Sequence, residues 1–292
     1  PDFEQRVAIV DALGTTIAAY HTVPGPSCNV ARPGLSDAGH WIGVQEIGLP
    51  QPSRYVFQPR DESPSSALVA PTTSLSQYQR GGDELLALQL DFGKGLEIFD
   101  RTTQLVRTTP AVVLGADVPR LMDDAAFFLA YLDYNKPEAW VWTRSSGSYQ
   151  ELIDRNPGHV VDVQADGETL LWIETPPKPE PGPWPAGTLY TSPYATTAAA
   201  VDGTARRAMP VVEPGASSAL SEGYYAVWGS PTTYHVVRLS DAQLWTVTIP
   251  MDEWQALLND VSYVDATYVF YKTDTHVYRQ RLDALGPGEA AN

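Results

Sequence analysis

Acidic residues recur along the chain at intervals that could build a ring of carboxylates. They are Asp37, Asp83, Asp124, Asp166, Glu222 and Asp265, with spacings of 46, 41, 42, 56 and 43 residues. If these side chains converged, their oxygens would be ligands of the kind that Ca²⁺ prefers. A turn aspartate that accepts hydrogen bonds from nearby backbone N–H groups explains the recurrence equally well. We favour the turn, predict no cofactor, and leave calcium open at Asp123–Asp124 and at Asp162 beside Asp166.

Histidine, serine and cysteine supply the other reactive groups. His235 and His276 hold equivalent places in two successive repeats, which would suit a metal or an acid–base pair, but we favour a shared strand position. Ser36 lies one residue out of step with a G-x-S-x-G nucleophile elbow, and we assign it to a turn. Cys28 is the single cysteine, so no intrachain disulfide can form. We predict no catalytic residue and no metal ligand, and the sequence leaves open whether the chain is an enzyme.

Three arginines stand shortly before acidic turns, at Arg32, Arg80 and Arg120. If the strands that carry them line a central channel, their guanidinium groups could bind an acidic ligand at its mouth. They could instead neutralise neighbouring carboxylates, which we favour in a chain with an excess of acids.

The elements that position these residues belong to a unit that recurs six times. Its fourth copy has a strand at 159–163, a turn at Asp166, an apolar strand that includes Trp172, and a further strand that reaches Tyr190. A repeat of roughly 40–50 residues, rich in short strands, is typical of a β-propeller blade. A sandwich or a barrel does not call for six similar units. We therefore predict an all-β fold, a six-bladed β-propeller with four strands in each blade, with seven blades as the alternative.

The predicted strands of a blade differ in apolar character, and the sixth blade takes one strand from the other end of the sequence. The second strands, such as 85–90 and 127–132, are the most apolar, and the rim strands include 198–201 and 244–249. The sixth copy lacks a fourth strand, so Arg6–Val10 is expected to join it and close the ring between the N- and C-terminal strands. The run at 15–21 is an added strand or part of a seventh blade, and 251–258 is the best helix candidate. We predict a single domain over 1–285 and a flexible tail over 286–292.

The acidic turn, the aromatic-rich apolar strand and the closing segment at 276–283 resemble the repeats of TolB-like six-bladed β-propellers. The likeness covers roughly residues 28–285 and concerns the fold. Only Asp166 is followed by glycine, as in the Asp-Gly pattern of that family. Members include periplasmic binding scaffolds, sensor domains and, with added domains or motifs, hydrolases and lyases. The resemblance therefore implies a propeller without selecting among these functions.

Composition narrows the range of partners. The net charge is −16, from 19 basic and 35 acidic residues, so the surface repels the phosphates of nucleic acids. No apolar run approaches the length of a membrane span. We expect a periplasmic or extracellular protein, and a membrane anchor upstream of Pro1 is left open.

The Pro-rich insert at residues 176–186 interrupts the fourth copy between two strands. Proline density favours a stiff, extended chain that loses little entropy on docking, and Trp184 offers a large contact side chain. We predict a partner-binding segment at Pro179, Pro181, Pro183, Trp184 and Pro185. The alternative is that Trp184 folds back onto the protein.

Three functions fit these observations. The first is a non-enzymatic exported binding or assembly module, which contacts another protein, such as a component of an envelope or extracellular assembly, through a propeller face and the insert. The second is a glycan-binding lectin-like propeller, which would need exposed aromatic residues at one position of every copy. The third is a hydrolase or lyase with a site at the channel mouth. The aromatic residues of the third strands are Phe57, Phe99, Trp142, Tyr190 and Tyr278. We expect them to pack between blades, and we favour the first function.

Overall fold

The structure is a computed structural model of the 292-residue chain. It describes residues 6–10, 16–21, 28–30, 34–35, 39–46, 54–59, 66–69, 79–89, 95–116, 120–133, 136–153, 159–179, 184–204, 206–212, 218–230, 233–248, 260–272, 277–286 and 289–290. The chain divides into two compact units, Pro1–Ala111 and Val112–Asn292. Both consist of antiparallel sheets with very little helix, so the all-β prediction is confirmed. The single domain over 1–285 and the number of blades stay predictions.

The first unit contains a hairpin and two sheets. The hairpin joins β1 (Arg6–Val10) to β2 (Thr16–His21). Sheet 1 contains β3 (Cys28–Val30), β4 (Gly34–Leu35), β5 (Gly39–Glu46), β6 (Arg54–Pro59) and β7 (Ser66–Val69). Sheet 2 contains β8 (Gln79–Gly81), β9 (Leu85–Gln89), β10 (Leu96–Asp100) and β11 (Leu105–Thr108).

The described residues of the second unit form four sheets and one short α-helix. Sheet 3 contains β12 (Gly115–Ala116), β13 (Arg120–Leu121), β14 (Ala125–Asp133), β15 (Lys136–Thr143) and β16 (Ser148–Ile153). Sheet 4 contains β17 (His159–Ala165), β18 (Thr169–Thr175), β19 (Gly187–Pro193) and β20 (Arg207–Val212), and α1 (Ala198–Gly203) lies between its last two strands in sequence. Sheet 5 contains β21 (Ser218–Ser221), β22 (Tyr224–Ser230), β23 (Thr233–Arg238) and β24 (Gln243–Thr248), and the last strand described below joins it at β24. Sheet 6 contains β25 (Asp260–Val264), β26 (Tyr268–Lys272) and β27 (Val277–Arg281). A 3₁₀ turn follows at Asp283–Leu285, and the last strand is β28 (Glu289–Ala290).

One turn geometry recurs between the first two strands of successive sheets. The N–H of the first turn residue donates to the carbonyl of the fourth, from Gly82 to Leu85, Met122 to Ala125, Asp166 to Thr169 and Asp265 to Tyr268, at 2.8–3.3 Å. A second hydrogen bond ties the turn to a later part of the sheet. The carbonyl of turn residue three accepts from the backbone N–H of the residue that directly follows the third strand of the sheet. These second bonds join Arg101 to Glu84, Arg144 to Asp124, Tyr194 to Glu168, Leu239 to Gly223 and Leu282 to Thr267. The repeat read from the sequence is therefore present in the backbone hydrogen bonds of sheets 2 to 6.

The acids that marked the repeat do not share one position in this turn. Asp166 and Asp265 are first turn residues, Asp83 is a second residue, and Asp124 is a third residue. Their regular spacing in the sequence thus reflects a turn that accepts an acidic residue at its first, second or third position. Backbone bonds define the repeat, and short polar side chains fit at several places in it.

Successive sheets pack face to face around apolar clusters within each unit. In β18, Leu170 and Trp172 face the cluster shared with sheet 3, whereas Leu171 and Ile173 face the cluster shared with sheet 5. Side chains alternate across a strand, so a strand buried on both faces is continuously apolar. This confirms for β18 the prediction that a second strand is buried on both faces. Similar clusters join sheet 1 to sheet 2 and sheet 5 to sheet 6.

The third-strand aromatics take part in this packing. Phe57 and Phe99 are buried in the cluster between sheets 1 and 2. Tyr190 packs against the cluster of sheets 3 and 4, and Tyr278 against that of sheets 5 and 6. Trp142 is buried as well. The predicted packing between sheets is confirmed for Phe57, Phe99, Tyr190 and Tyr278.

The rim strand expected at 198–201 is wrong, because Ala198–Gly203 forms α1. Thr197 caps the helix, with its hydroxyl oxygen accepting from the N–H of Ala200 at 3.2 Å. Three successive alanines with a threonine N-cap favour a helix over a strand. The fourth strand of sheet 4 is β20 instead.

The predicted pairing of the chain ends also differs from the structure. In the described part of the chain, Arg6–Val10 pairs with Thr16–His21 and not with sheet 6, which gives the unassigned run at 15–21 its partner. The expected tail at 286–292 contains β28, which pairs with Gln243 and Leu244 of β24. The helix predicted at 251–258 lies outside the described residues. No helix among the described residues has the length and apolar character needed to cross a membrane.

Candidate functional site

Two of the turn acids accept hydrogen bonds from backbone N–H groups of their own turns. One carboxylate oxygen of Asp166 accepts from the N–H groups of Glu168 and Thr169, at 3.1 and 2.9 Å. Asp265 does the same with Thr267 and Tyr268, at 2.7 and 2.6 Å. The interpretation of these two acids as turn residues is therefore confirmed. Asp37 lies outside the described residues.

Asp124 is engaged by a neighbouring sheet. The hydroxyl of Tyr194 donates to Asp124 at 2.6 Å. Burial, the hydrogen bond to Asp124 and the charges of Asp124 and Asp123 raise the pKa of Tyr194, so this tyrosine stays a donor at physiological pH. The contact ties the turn of sheet 3 to the segment after β19.

A polar network links the first strand of sheet 4 to sheet 5. The buried Tyr225 hydroxyl donates to one oxygen of Asp162 at 2.5 Å, and the amide of Gln164 donates to the other at 3.1 Å. The Gln164 amide also donates to the Ser218 hydroxyl at 2.8 Å. Burial, followed by the charge of Asp162, holds the pKa of Tyr225 well above its usual range. Both Asp162 oxygens already accept protein donors, and calcium binding there stays a hypothesis.

Arg120 connects three sheets through backbone carbonyls. From β13 it donates to the carbonyl of Ala165 at 3.2 Å and to the carbonyl of Leu220 at 3.0 Å. The first acceptor lies in sheet 4 and the second in sheet 5. Arg32 and the side chain of Arg80 lie outside the described residues, so their roles stay predictions.

The histidine pair cannot be assembled from the described residues, because His276 lies outside them. The Nδ1 atom of His235 is 3.1 Å from the hydroxyl of Thr246 on the next strand. Among the described residues, no three His, Cys, Asp or Glu side chains are grouped as metal ligands would be.

A buried carboxylate that the sequence did not single out lies on β10. Glu97 is 6% exposed, and no described residue donates to its Oε2 atom. Asp100 on the same strand is buried to a similar degree, but its carboxylate accepts the N–H groups of Thr102 and Thr103. Burial raises the pKa of Glu97. Its place in a run of apolar strand residues is the signal that could have identified it.

We expect Glu97→Gln to stabilise the protein at neutral pH by about 1–2 kcal/mol, since the amide does not need to be ionised in the interior. Because the folded-state pKa of Glu97 is raised, the wild type binds more protons when folded, and its stability falls as pH rises above the unfolded-state pKa. The gain should therefore disappear at acidic pH, below that value. Urea unfolding at several pH values measures this, with the exposed Glu222→Gln as the control. A variant that is less stable than wild type at neutral pH would contradict the prediction.

The Pro-rich insert leaves β18 and returns at β19, and close packing fixes its return point. A Cβ atom on Gly187 would lie 2.5 Å from Cγ2 of Ile173 and 2.7 Å from the carbonyl oxygen of Glu174. Only glycine fits this approach without a shift of the neighbouring strand. The insert therefore begins and ends against the same pair of strands.

Trp184 contacts two polar side chains and stays partly exposed. Its ring lies edge-on to the ring of His159, with centroids 5.5 Å apart. The Nζ atom of Lys178 lies 5.6 Å from the centroid of the Trp184 ring, within cation–π range. Burial and then the charge of Lys136 lower the pKa of His159, so this ring is neutral near pH 7.

The described residues of the predicted binding segment are arranged around this tryptophan. Pro179 is exposed, and Trp184 and Pro185 are half-buried, whereas Pro181 and Pro183 lie outside the described residues. We call His159, Lys178, Pro179, Trp184 and Pro185 the Trp184 surface. Trp184 does contact the sheet, as the alternative interpretation required, but it also remains accessible. Partner binding through these residues stays a prediction.

Sequence reasoning missed His159 and Lys178 as neighbours of Trp184. Lys178 stands in the insert itself, so cation–π contact within the insert could have been anticipated from spacing. His159 begins β17, opposite Thr175 at the end of β18. Only the strand register brings it to the base of the insert.

No family model and no curated protein matches the sequence. Among solved structures, the chain is similar to a prolyl endopeptidase from a study of inter-domain dynamics in two such enzymes, with a TM-score of 0.55 and 14% identity over 90% of this chain. The chain spans 41% of that endopeptidase, and the likeness concerns the fold alone. Weaker similarities are to a nidogen/laminin complex (TM-score 0.47, 9% identity, 100% of this chain and 90% of the other) and to apo AztD from Citrobacter koseri (TM-score 0.47, 10% identity, 100% and 93%).

Proposed function

We propose that the chain is a six-bladed β-propeller that works as a non-enzymatic binding module, and that it holds another protein at the Trp184 surface. The recurring turn and the face-to-face packing of successive sheets within each unit support the propeller. The TolB-like resemblance supports a periplasmic or extracellular location. The hydrogen bonds that Asp162, Asp166 and Asp265 accept within the fold support a structural role for these three acids.

The observation behind the binding proposal is the state of Trp184. A partly exposed tryptophan that already contacts His159 and Lys178 loses little side-chain freedom when a partner covers it. Exposed prolines, Pro176, Pro177 and Pro179, lead into the segment and limit its backbone freedom. Preorganised aromatic residues of this kind supply much of the free energy in protein interfaces.

We expect Trp184→Ala to weaken partner binding by about thirtyfold or more, the loss expected of an interface tryptophan worth 2 kcal/mol. The tagged full chain would capture proteins from its native source, and mass spectrometry would identify them. A captured protein would then be purified and titrated against the wild type and the variant, and circular dichroism would check the fold.

The control is Leu105→Ala, which removes another exposed apolar side chain, from β11. It should leave the affinity unchanged. Equal affinities for wild type and Trp184→Ala would overturn the proposal, as would the absence of any captured protein that binds saturably in the purified titration.

A further inference from the structure

The ring of His159, which contacts Trp184, can change its charge near neutral pH. It lies edge-on to the indole, with ring centroids 5.5 Å apart and an angle of 69° between the ring planes. Histidine has an ordinary pKa of about 6.5, so its charge change falls between pH 5 and 8. A proton taken up by His159 would therefore place a cation directly against the tryptophan that we expect a partner to cover.

The strand pairing of sheet 4 brings these two rings together. His159 begins β17 opposite Thr175, the last residue of β18, after which the insert leaves the sheet. The insert returns at Gly187, where a Cβ atom would lie 2.5 Å from Cγ2 of Ile173 and 2.6 Å from Cγ2 of Thr175. The strands that hold both ends of the insert therefore also place His159, and the ring contact follows from the fold of the sheet.

The fixed charges around His159 have both signs. Lys178 lies over the indole from the insert, and Lys136 begins β15, a strand that packs beside β17. Acidic side chains on the strands next to β17 are Asp133, Glu138 and Glu174. Carboxylic acids and amines ordinarily change charge outside pH 5–8, whereas histidine does so within it. The titration of His159 therefore changes the charge at this surface near neutral pH.

The direction of the effect follows from burial. Burial is the largest cause of the lowered pKa of His159, so the neutral ring is the favoured form in this place. A partner that covers Trp184 removes more water from the adjoining ring, and the imidazolium is then disfavoured more strongly. The pKa of His159 is therefore lower in the complex than in the free chain, and protons oppose binding.

We infer that the Trp184 surface binds its partner while His159 is neutral and releases it on mild acidification; this inference rests on the proposed function. The affinity should be constant well above pH 7, where the ring is neutral in both states. It should fall as the pH drops, because the complex can form only after the free chain has given up the proton on His159.

The proton itself is the first probe, used on the full chain without a partner. The emission of Trp184 is the difference in fluorescence between the wild type and Trp184→Phe, measured from about pH 8 to about pH 5. We expect this difference to fall in one step with a midpoint below about 6.5, because an imidazolium in contact with an indole quenches its emission. His159→Phe keeps a ring beside Trp184 but cannot take up a proton. In that background the same difference should not change with pH.

The second probe is the purified protein captured in the experiment on Trp184. It is titrated against the wild type and against His159→Phe, at about pH 7.5 and about pH 5. We expect the wild type to lose about fivefold or more in affinity at the lower pH, and His159→Phe to change by less than about twofold. Groups that titrate on the captured protein affect both titrations equally. His235→Gln is the matched control, since it removes a histidine from β23, in sheet 5, and it should keep the pH dependence of the wild type.

Equal pH dependence of binding in the wild type and His159→Phe would overturn the inference. So would tighter binding at the lower pH, or an emission step that His159→Phe retains. If His159→Phe does not fold, His159→Gln takes its place in both experiments. In each of the overturning cases, a captured protein that still depends on Trp184 would leave the proposed function standing. Loss of the Trp184 dependence itself would remove both.

Discussion

Trp172→Ala should lower the free energy of unfolding by about 3–5 kcal/mol, the range for removing a large aromatic side chain from a core. Trp172 has no exposed surface and lies in the cluster between sheets 3 and 4. Its ring stacks on Tyr190 with centroids 5.7 Å apart, and its N–H donates to Glu174. The alanine variant would leave a cavity between two sheets and leave one acceptor without its donor.

The matched control is Trp140→Ala. Trp140 also donates its indole N–H to a glutamate two residues away, Glu138, but it is only half-buried. Its replacement should cost less than about 2 kcal/mol, because less apolar area is lost from the interior. Urea unfolding, followed by circular dichroism, measures both variants. Equal losses would show that burial between the sheets is not what makes Trp172 important.

Arg120→Ala is expected to cost about 2–4 kcal/mol, because it removes two charge-assisted hydrogen bonds to carbonyls in the interior. The acceptors, Ala165 and Leu220, belong to residues with no exposed surface. Loss of the guanidinium would leave these two oxygens without that donor and would disconnect β13 from the first strands of sheets 4 and 5. Lysine should rescue the variant only in part, since it lacks the planar set of donors.

Arg207→Ala tests whether burial or the number of bonds decides the cost. Arg207 also donates to two carbonyls, those of Leu239 and Ser240, at 2.8 and 3.1 Å, but it does so at the surface. We expect a loss of under about 1 kcal/mol from the same unfolding measurement. If Arg120→Ala were no more costly than this control, Arg120 would not be a structural link between sheets.

Local sequence pattern predicted the strands well and their connections less well. The apolar run at 85–90 is observed as Leu85–Gln89 and the run at 127–132 lies within Ala125–Asp133. Such runs are visible because a strand buried on both faces needs an apolar residue at every position. The run at 198–201 is apolar too, but its alanines favour a helix once Thr197 caps it.

The contacts of the candidate site depend on sheet order, which pattern alone does not give. Arg120 and Leu220 are 100 residues apart and meet because the first strands of sheets 3, 4 and 5 are neighbours. Trp184 was anticipated from the proline density around it, whereas the effect of Lys136 on His159 follows from the placement of β15 beside β17. Asp166 and Asp265 gave the opposite result: their spacing suggested chemistry, and their hydrogen bonds show turn structure.

The pairing of β28 with β24 of sheet 5 changes how sheet 6 can unfold. In a linear array of repeats the terminal unit has one neighbour and opens first. Here β24 precedes sheet 6 and β28 follows it, and the two strands pair, while the Trp245 indole donates to the carbonyl of Gly286 at 3.1 Å. The segment that contains sheet 6 therefore begins and ends at two strands that pair with each other, β24 and β28. Sheets 5 and 6 are therefore expected to unfold together, because opening sheet 6 also requires β28 to separate from β24.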